Sequence, residues 1–170
     1  MAQFSLNALV LIVAFSLHNT AGIYFKIGGV VPDITLIALI SISFIEGQIA
    51  GMATGFFAGI LKDLIHLRGF GVNALTHTLI GYFAGAFETS MIANSYILML
   101  IVGIATLISE ALYVSIAFLL SYQIDAMFWR YALLAAVYNA LISPFIYMAI
   151  NFFYQKTVRK RSLEKIKNGS

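Results

Sequence analysis

The sequence predicts an all-α integral membrane protein, folded as a compact bundle of six transmembrane helices. Three observations predict it. Of 170 residues, 61% are hydrophobic and only 10% are charged, with a mean hydropathy of +0.94, so a soluble domain would lack the polar surface to cover itself. The apolar residues fall into six runs separated by short polar breaks; at about 20 residues per span these consume roughly 120 positions. What remains is a set of short loops and one tail, which leaves no room for a soluble catalytic or nucleic-acid-binding domain. The absence of cysteine further excludes disulfides, thiolate nucleophiles and cysteine-held zinc or iron–sulfur clusters.

The first span, about 4–25, is interrupted by Asn7, His18 and Asn19 and closed by Lys26 and the Gly28-Gly29 pair. The amino end has no basic n-region, which argues for a retained span over a cleaved signal peptide. Pro32-Asp33 opens the second span, about 32–45: proline suits the first helical turn and aspartate complements the positive end of the helix dipole. Glu46-Gly47 breaks it, and the third span covers about 48–65. Charge then gathers in Lys62, Asp63, His66 and Arg68, where long side chains can snorkel to water. The fourth span is about 70–87 and the fifth about 96–122, longer than a bilayer needs. Gln123, Asp125 and Arg130 mark the next turn, with Trp129 and Tyr131 as interfacial anchors. The sixth, about 131–154, contains Pro144, which removes one backbone bond. Together these make a membrane domain over 1–155 and a tail over 156–170.

Net charge is +3, and six of the ten Lys and Arg residues lie between Lys156 and Lys167. A basic cluster beside a membrane helix marks the cytoplasmic side and draws anionic headgroups. Six spans then put both termini in the cytoplasm. Only the tail supports this orientation, because the outer loops would carry Lys26, Lys62, Arg68 and Arg130 and the inner ones Glu46 and Glu88. Nucleic acid is a poor partner for the tail, since no aromatic residue follows Lys156 to stack bases.

Gly47, Gly51, Gly55 and Gly59 recur at every fourth position with Asp63 as the next step, a spacing that lets helix backbones approach closely in lipid. Asn73, His77, Gly81 and Gly85 repeat the spacing on the next span. A tightly packed hairpin of the two helices explains both rows, and a docking face for another membrane protein is the alternative. Glu110, near the middle of span five, is an ionisable residue placed where burial is costly. An interhelical pair with His77 would accommodate it; protonation, or a bond to Tyr138 or Asn139, would do so equally. Asp63 and His66 share a helical face at metal-ligand spacing, with His77 or Glu88 as a third ligand, but a polar helix end explains the same residues. The chain has no nucleophile elbow, zinc-protease motif or phosphate-binding loop, so neither catalysis nor a cofactor is expected.

Pro32-Asp33, then Gly47-x3-Gly51-x3-Gly55-Phe56-x2-Gly59-x3-Asp63-Leu64, Gly69-x-Gly71-x2-Ala74-Leu75 and Gly81-Tyr82-x2-Gly85 resemble the rod shape-determining protein MreD family. The resemblance rests on spans two to four; Glu46 departs from it, standing where a basic residue is at least as common. It implies a non-enzymatic subunit of the bacterial cell-elongation machinery in the inner membrane. Its implied partners are the bitopic coiled-coil protein MreC, the actin-like MreB, the glycosyltransferase RodA and a class B penicillin-binding protein. The Gly47–Gly59 ladder and the Asp63–Gly71 turn would then be the functional surfaces. The family is also similar in size and span count to the S components of energy-coupling-factor vitamin transporters, which implies a related six-helix fold. A solute-binding subunit with a pocket of Asn73, His77, Glu110, Tyr138 and Asn139 is the alternative function.

Overall fold

The segment ITLIALISISFIE has no polar face along its length, and a helix that is apolar all round must be enclosed. In the computed structural model this segment is α2 (Ile34–Glu46), and every residue from Thr35 to Phe44 is buried. The structure describes residues 2–20, 22–65, 71–87, 95–119 and 127–168. Around α2 pack α1 (Ala2–Thr20), α3 (Gln48–Ile65), α4 (Val72–Ala84), α5 (Ser95–Leu119) and α6 (Phe128–Asn168). The core is accordingly α2 itself, with Leu11 and Ala14 from α1, Ala58 from α3, Ile80 from α4, Leu98 and Val102 from α5, and Ile150 from α6.

Among the described residues six α-helices form over the six apolar runs, but their lengths differ from the expected spans. Among the described residues two segments are long and apolar enough to cross a membrane by themselves, Ser95–Ser115 in α5 and Phe128–Thr157 in α6, whereas the apolar parts of α1 and α2 are shorter. The first run ends its helix at Thr20, continues as a 3-10 turn over Gly22–Phe25, and returns through a tight bridge between Ile27 and Val30. α2 is short because it starts inside the bundle: the N–H of Leu36 donates to the Asp33 carboxylate at 3.0 Å, capping the helix from within. At the far end the Gly47 N–H donates to Ser43 O at 2.8 Å. Gly47 has φ +85° and nothing within 4 Å of where a Cβ would sit, so the α2–α3 turn is what calls for glycine here, although its backbone lies against Gly85.

α6 continues unbroken through the residues read as a tail, as far as Asn168. Pro144 deprives Ala140 O of its usual N–H donor, and the Ser143 hydroxyl replaces it by donating to that carbonyl at 2.7 Å. Ser143→Ala is therefore expected to cost about 1 kcal/mol of stability. In a Pro144→Ala background, where the N–H is restored, the same change should cost close to nothing; thermal melts of the four proteins in detergent measure the difference.

Candidate functional site

α3 and α4 are joined by their glycines. A Cβ on Gly51 would fall within 3.0 Å of Gly81 O, one on Gly55 within 3.0 Å of His77 O, and one on Gly59 within 3.0 Å of the Ala74 backbone. Gly85 closes the series against Gly47 and Gln48. Each step of four up α3 thus meets a step of about four down α4, and the two rows read from the sequence face each other. Gly51, Gly55, Gly59 and Gly81 are buried in this contact, so they present no face to a docking partner.

The next step of the ladder, Asp63, is 1% exposed and caps α4 from across the turn. Its carboxylate accepts from Gly71 N at 2.9 Å, Asn73 N at 3.2 Å, Asn73 Nδ2 at 2.9 Å and Ala74 N at 3.0 Å. Those backbone donors are the unsatisfied N–H groups of a helix N-terminus, and a carboxylate there also complements the helix dipole. Gly71 allows the approach with a left-handed φ of +98°. Both oxygens of Asp63 accept hydrogen bonds from the head of α4, and among the described residues there is no group of three His, Cys, Asp or Glu that could hold a metal ion. His66, Arg68, Gly69 and Glu88, which the sequence reading also raised, lie outside the described residues. Asp63→Ala is expected to lower stability by about 2 kcal/mol or more by stranding buried donors. Asp63→Asn, which keeps one acceptor oxygen, should fall between it and the parent in a detergent melt.

One residue back, Lys62 does not reach for water. It pairs with Asp33 at the head of α2, the two side chains being 12% and 22% exposed. The Asp33 N–H donates to Asn139 Oδ1 at 2.8 Å, and Asn139 Nδ2 donates to Thr106 Oγ1 at 3.1 Å. Asn139, 1% exposed, therefore ties α6 to both α2 and α5, and this polar chain crosses four helices. Sequence reading picked out Asn139 and missed its role, because its partners are distant in the chain. At the opposite end Asn7 Nδ2 donates to Glu46 Oε2 at 2.6 Å and the Tyr154 hydroxyl donates to Asn7 Oδ1, joining α1, α2 and α6. The only sequence signal for this clasp was a lone asparagine inside an apolar run.

His77 and Glu110 are not a pair. The His77 ring bonds through Nδ1 to Asn73 O at 2.9 Å, one turn back on its own helix, and its Nε2 is buried without a partner among the described residues. Glu110 bonds to neither Tyr138 nor Asn139; the Tyr138 hydroxyl donates to Phe25 O at 2.8 Å. The half-buried Glu110 lies on the face of α5 whose Thr106 bonds to Asn139.

Outside this polar interior the surface is oily. Phe118, Phe145 and Met148 are each more than two-thirds exposed. A half-open groove of about 320 Å³ runs between α4 and α5, lined by Leu79, Phe83, Ile101, Ile104 and Ile108. Polar groups inside and large apolar side chains outside is the arrangement a bilayer demands.

The family model for the rod shape-determining protein MreD matches residues 1–157. The chain belongs to the MreD family. The match extends well beyond the residues of spans two to four that first carried the resemblance, covering the first helix and the last two as well. MreD is a membrane-associated, shape-determining structural family and not a known enzyme family. No curated protein and no solved structure matches the chain. For an MreD-family chain the polar interior makes sense as architecture: Asp33, Asp63, Asn73 and Asn139 form hydrogen bonds that join helices and cap helix ends.

Proposed function

We propose that this MreD-family chain is a non-enzymatic, six-span subunit of the rod complex in the bacterial inner membrane, both termini cytoplasmic, which binds MreC and helps organise peptidoglycan synthesis. The observation that carries this reading is the division of labour between interior and exterior. The glycine ladders and charged groups are consumed in holding six helices together, while large apolar side chains of α1, α4, α5 and α6 are left outward. Such a body works by contact with neighbours in the bilayer. Partner capture accordingly belongs to those exposed faces, with Gly51, Gly55, Gly59, Gly81, Gly85, Asp63 and Gly71 acting as the packing that shapes them. MreB, RodA and a class B penicillin-binding protein are the further partners of the assembly, and anionic headgroups meet the basic residues nearest the membrane, beginning at Lys156.

Depletion of the protein from a rod-shaped host, with an affinity pull-down from the same cells, tests the reading. Cells should round up, and MreC should leave the complex with it; unchanged shape on full depletion would count against the proposal. A second reading, a substrate-binding S component of a vitamin transporter, draws on the fully buried and unpartnered His77 Nε2 and Thr35 Oγ1. It requires that protein purified in mild detergent retain a small molecule detectable by mass spectrometry.

A further inference from the structure

The apolar segment of α6, Phe128–Thr157, has 30 residues, about 45 Å of helix at 1.5 Å per residue. The hydrocarbon of a bilayer is only about 30 Å thick, so about ten of those residues lie outside it. The neighbours of α6 show at which end.

Near Phe128 the helix is flanked by the turn that joins α1 to α2. The Tyr138 hydroxyl donates to Phe25 O at 2.8 Å, a Cβ on Gly28 would lie 3.6 Å from Leu134, and one on Gly29 would lie 3.1 Å from Tyr131. Residues 25–29 thus run beside 131–138, and they are exposed, Lys26 included. Irregular backbone facing lipid does not occur in the hydrocarbon, and a lysine there is costly. The charged head of α2 lies at the same height. The Asp33 N–H donates to Asn139, the Asp33 carboxylate pairs with Lys62, and Asn139 donates to Thr106 of α5. Glu110 is one turn beyond Thr106, further from the bundle.

The opposite end is marked by the clasp of Asn7, Glu46 and Tyr154 and by the exposed Lys156. From Tyr138 to Thr157 is about 29 Å of helix, one hydrocarbon thickness. Two other helices have girdles that stop at the same height. Exposed apolar residues run from Phe4 to Leu17 on α1 and from Ile49 to Ile65 on α3, about 20 and 24 Å. Both rows end beside the charged level, where His18 bonds to Pro32 O and Lys62 to Asp33. Apolarity alone would draw the ends of α5 and α6 into lipid as well, since Phe118, Leu119 and Trp129 are exposed there. Sinking them would carry Lys26 and the Asp33–Lys62 pair to the middle of the bilayer, and would expel the exposed Phe4, Ile49, Phe152 and Phe153 at the far side.

From these levels together we infer that the hydrocarbon ends on this side at Tyr138, and that the ends of α5 and α6 above it, Glu110–Leu119 and Phe128–Val137, stand out of it through the headgroups. Trp129 is then about 13 Å beyond the hydrocarbon, past a headgroup layer about 5–8 Å deep. Glu110 is accordingly no intramembrane acid: it lies at the headgroup level, where a carboxylate stays hydrated and needs no partner from α4. The inference rests on the membrane embedding of the chain and not on MreC, and its test scores neither cell shape nor a partner.

The test uses the full-length protein in nanodiscs of phosphatidylethanolamine and phosphatidylglycerol. The chain has no cysteine, so a single introduced one reports alone. Leu133 and Phe145 are 57% and 74% exposed in the protein, so protein shields the second no better than the first. A water-soluble maleimide is expected to label Leu133→Cys at least tenfold faster than Phe145→Cys. The unmodified chain supplies a second measurement that no folding defect can spoil, because Trp129 is its one tryptophan. Its emission should fall with aqueous acrylamide and stay unchanged in lipid whose acyl chains are brominated near the headgroup. Equal labelling of the two cysteines, faster labelling at position 145, or strong quenching of Trp129 by the brominated chains would each overturn the inference.

Discussion

Gly55→Leu is expected to be the most damaging single substitution on the α3–α4 seam. The Cβ alone would already overlap His77 O and crowd the His77 carbonyl carbon at 2.8 Å, and both are backbone atoms that no rotamer change can move aside. Forcing extra volume into a packed interior costs about 1–3 kcal/mol where side chains can shift; with backbone on the far side the cost should reach or exceed the top of that range. The expected result is protein that aggregates on extraction or melts at least 10 °C below the parent in detergent. Phe56→Leu, at the adjacent, 53% exposed position, is the control and should melt like the parent. A Gly55→Leu protein with the parent's melting temperature would mean that the two helices are not in contact.

Removing Lys62 should be nearly as costly, for a different reason. Asp33 caps α2 and holds Asn139 through its backbone N–H, so its charge stays inside the bundle when its partner is gone. Breaking a largely buried pair from one side leaves an uncompensated charge, and Lys62→Met is expected to destabilise by about 3 kcal/mol. Asp33→Asn keeps the cap and removes the charge. The double variant Asp33→Asn/Lys62→Met should therefore be more stable than Lys62→Met alone, a non-additivity of about 1 kcal/mol or more in a double-mutant cycle. Strict additivity in detergent melts would mean that the two side chains do not interact.

The polar residues show where reading a sequence succeeds and where it stops. Asp33 was recognised as a helix start because the signal, Pro-Asp before an apolar run, is local. The two small-residue rows were recognised because spacing four on consecutive helices is a periodic pattern. Sequence alone suggests a snorkelling side chain at Lys62 and a polar helix end at Asp63, since nothing within a few residues of either reveals that one reaches back to Asp33 and the other forward to the head of α4. The Glu110–His77 pairing failed for a related reason. Similar positions along two neighbouring helices make the pair plausible, but the His77 Nδ1 bonds to Asn73 O on its own helix. Nor could composition reveal that Ser143 would take over the carbonyl that Pro144 leaves bare.

Composition and periodicity by themselves determined that the chain is helical and oily, and the motifs of spans two to four carried the resemblance to the MreD family. These properties depend on residue type and spacing, both carried by the linear order of the chain. Tertiary structure alone decided that α2 is the enclosed centre, that the glycines of α3 are spent against α4, and that Asn139 ties α6 to α2 and α5. Each of those outcomes depends on how helices are rotated and staggered against one another. That rotation is set by the sum of many contacts of about 0.1–0.2 kcal/mol per atom pair, which no short stretch of sequence encodes.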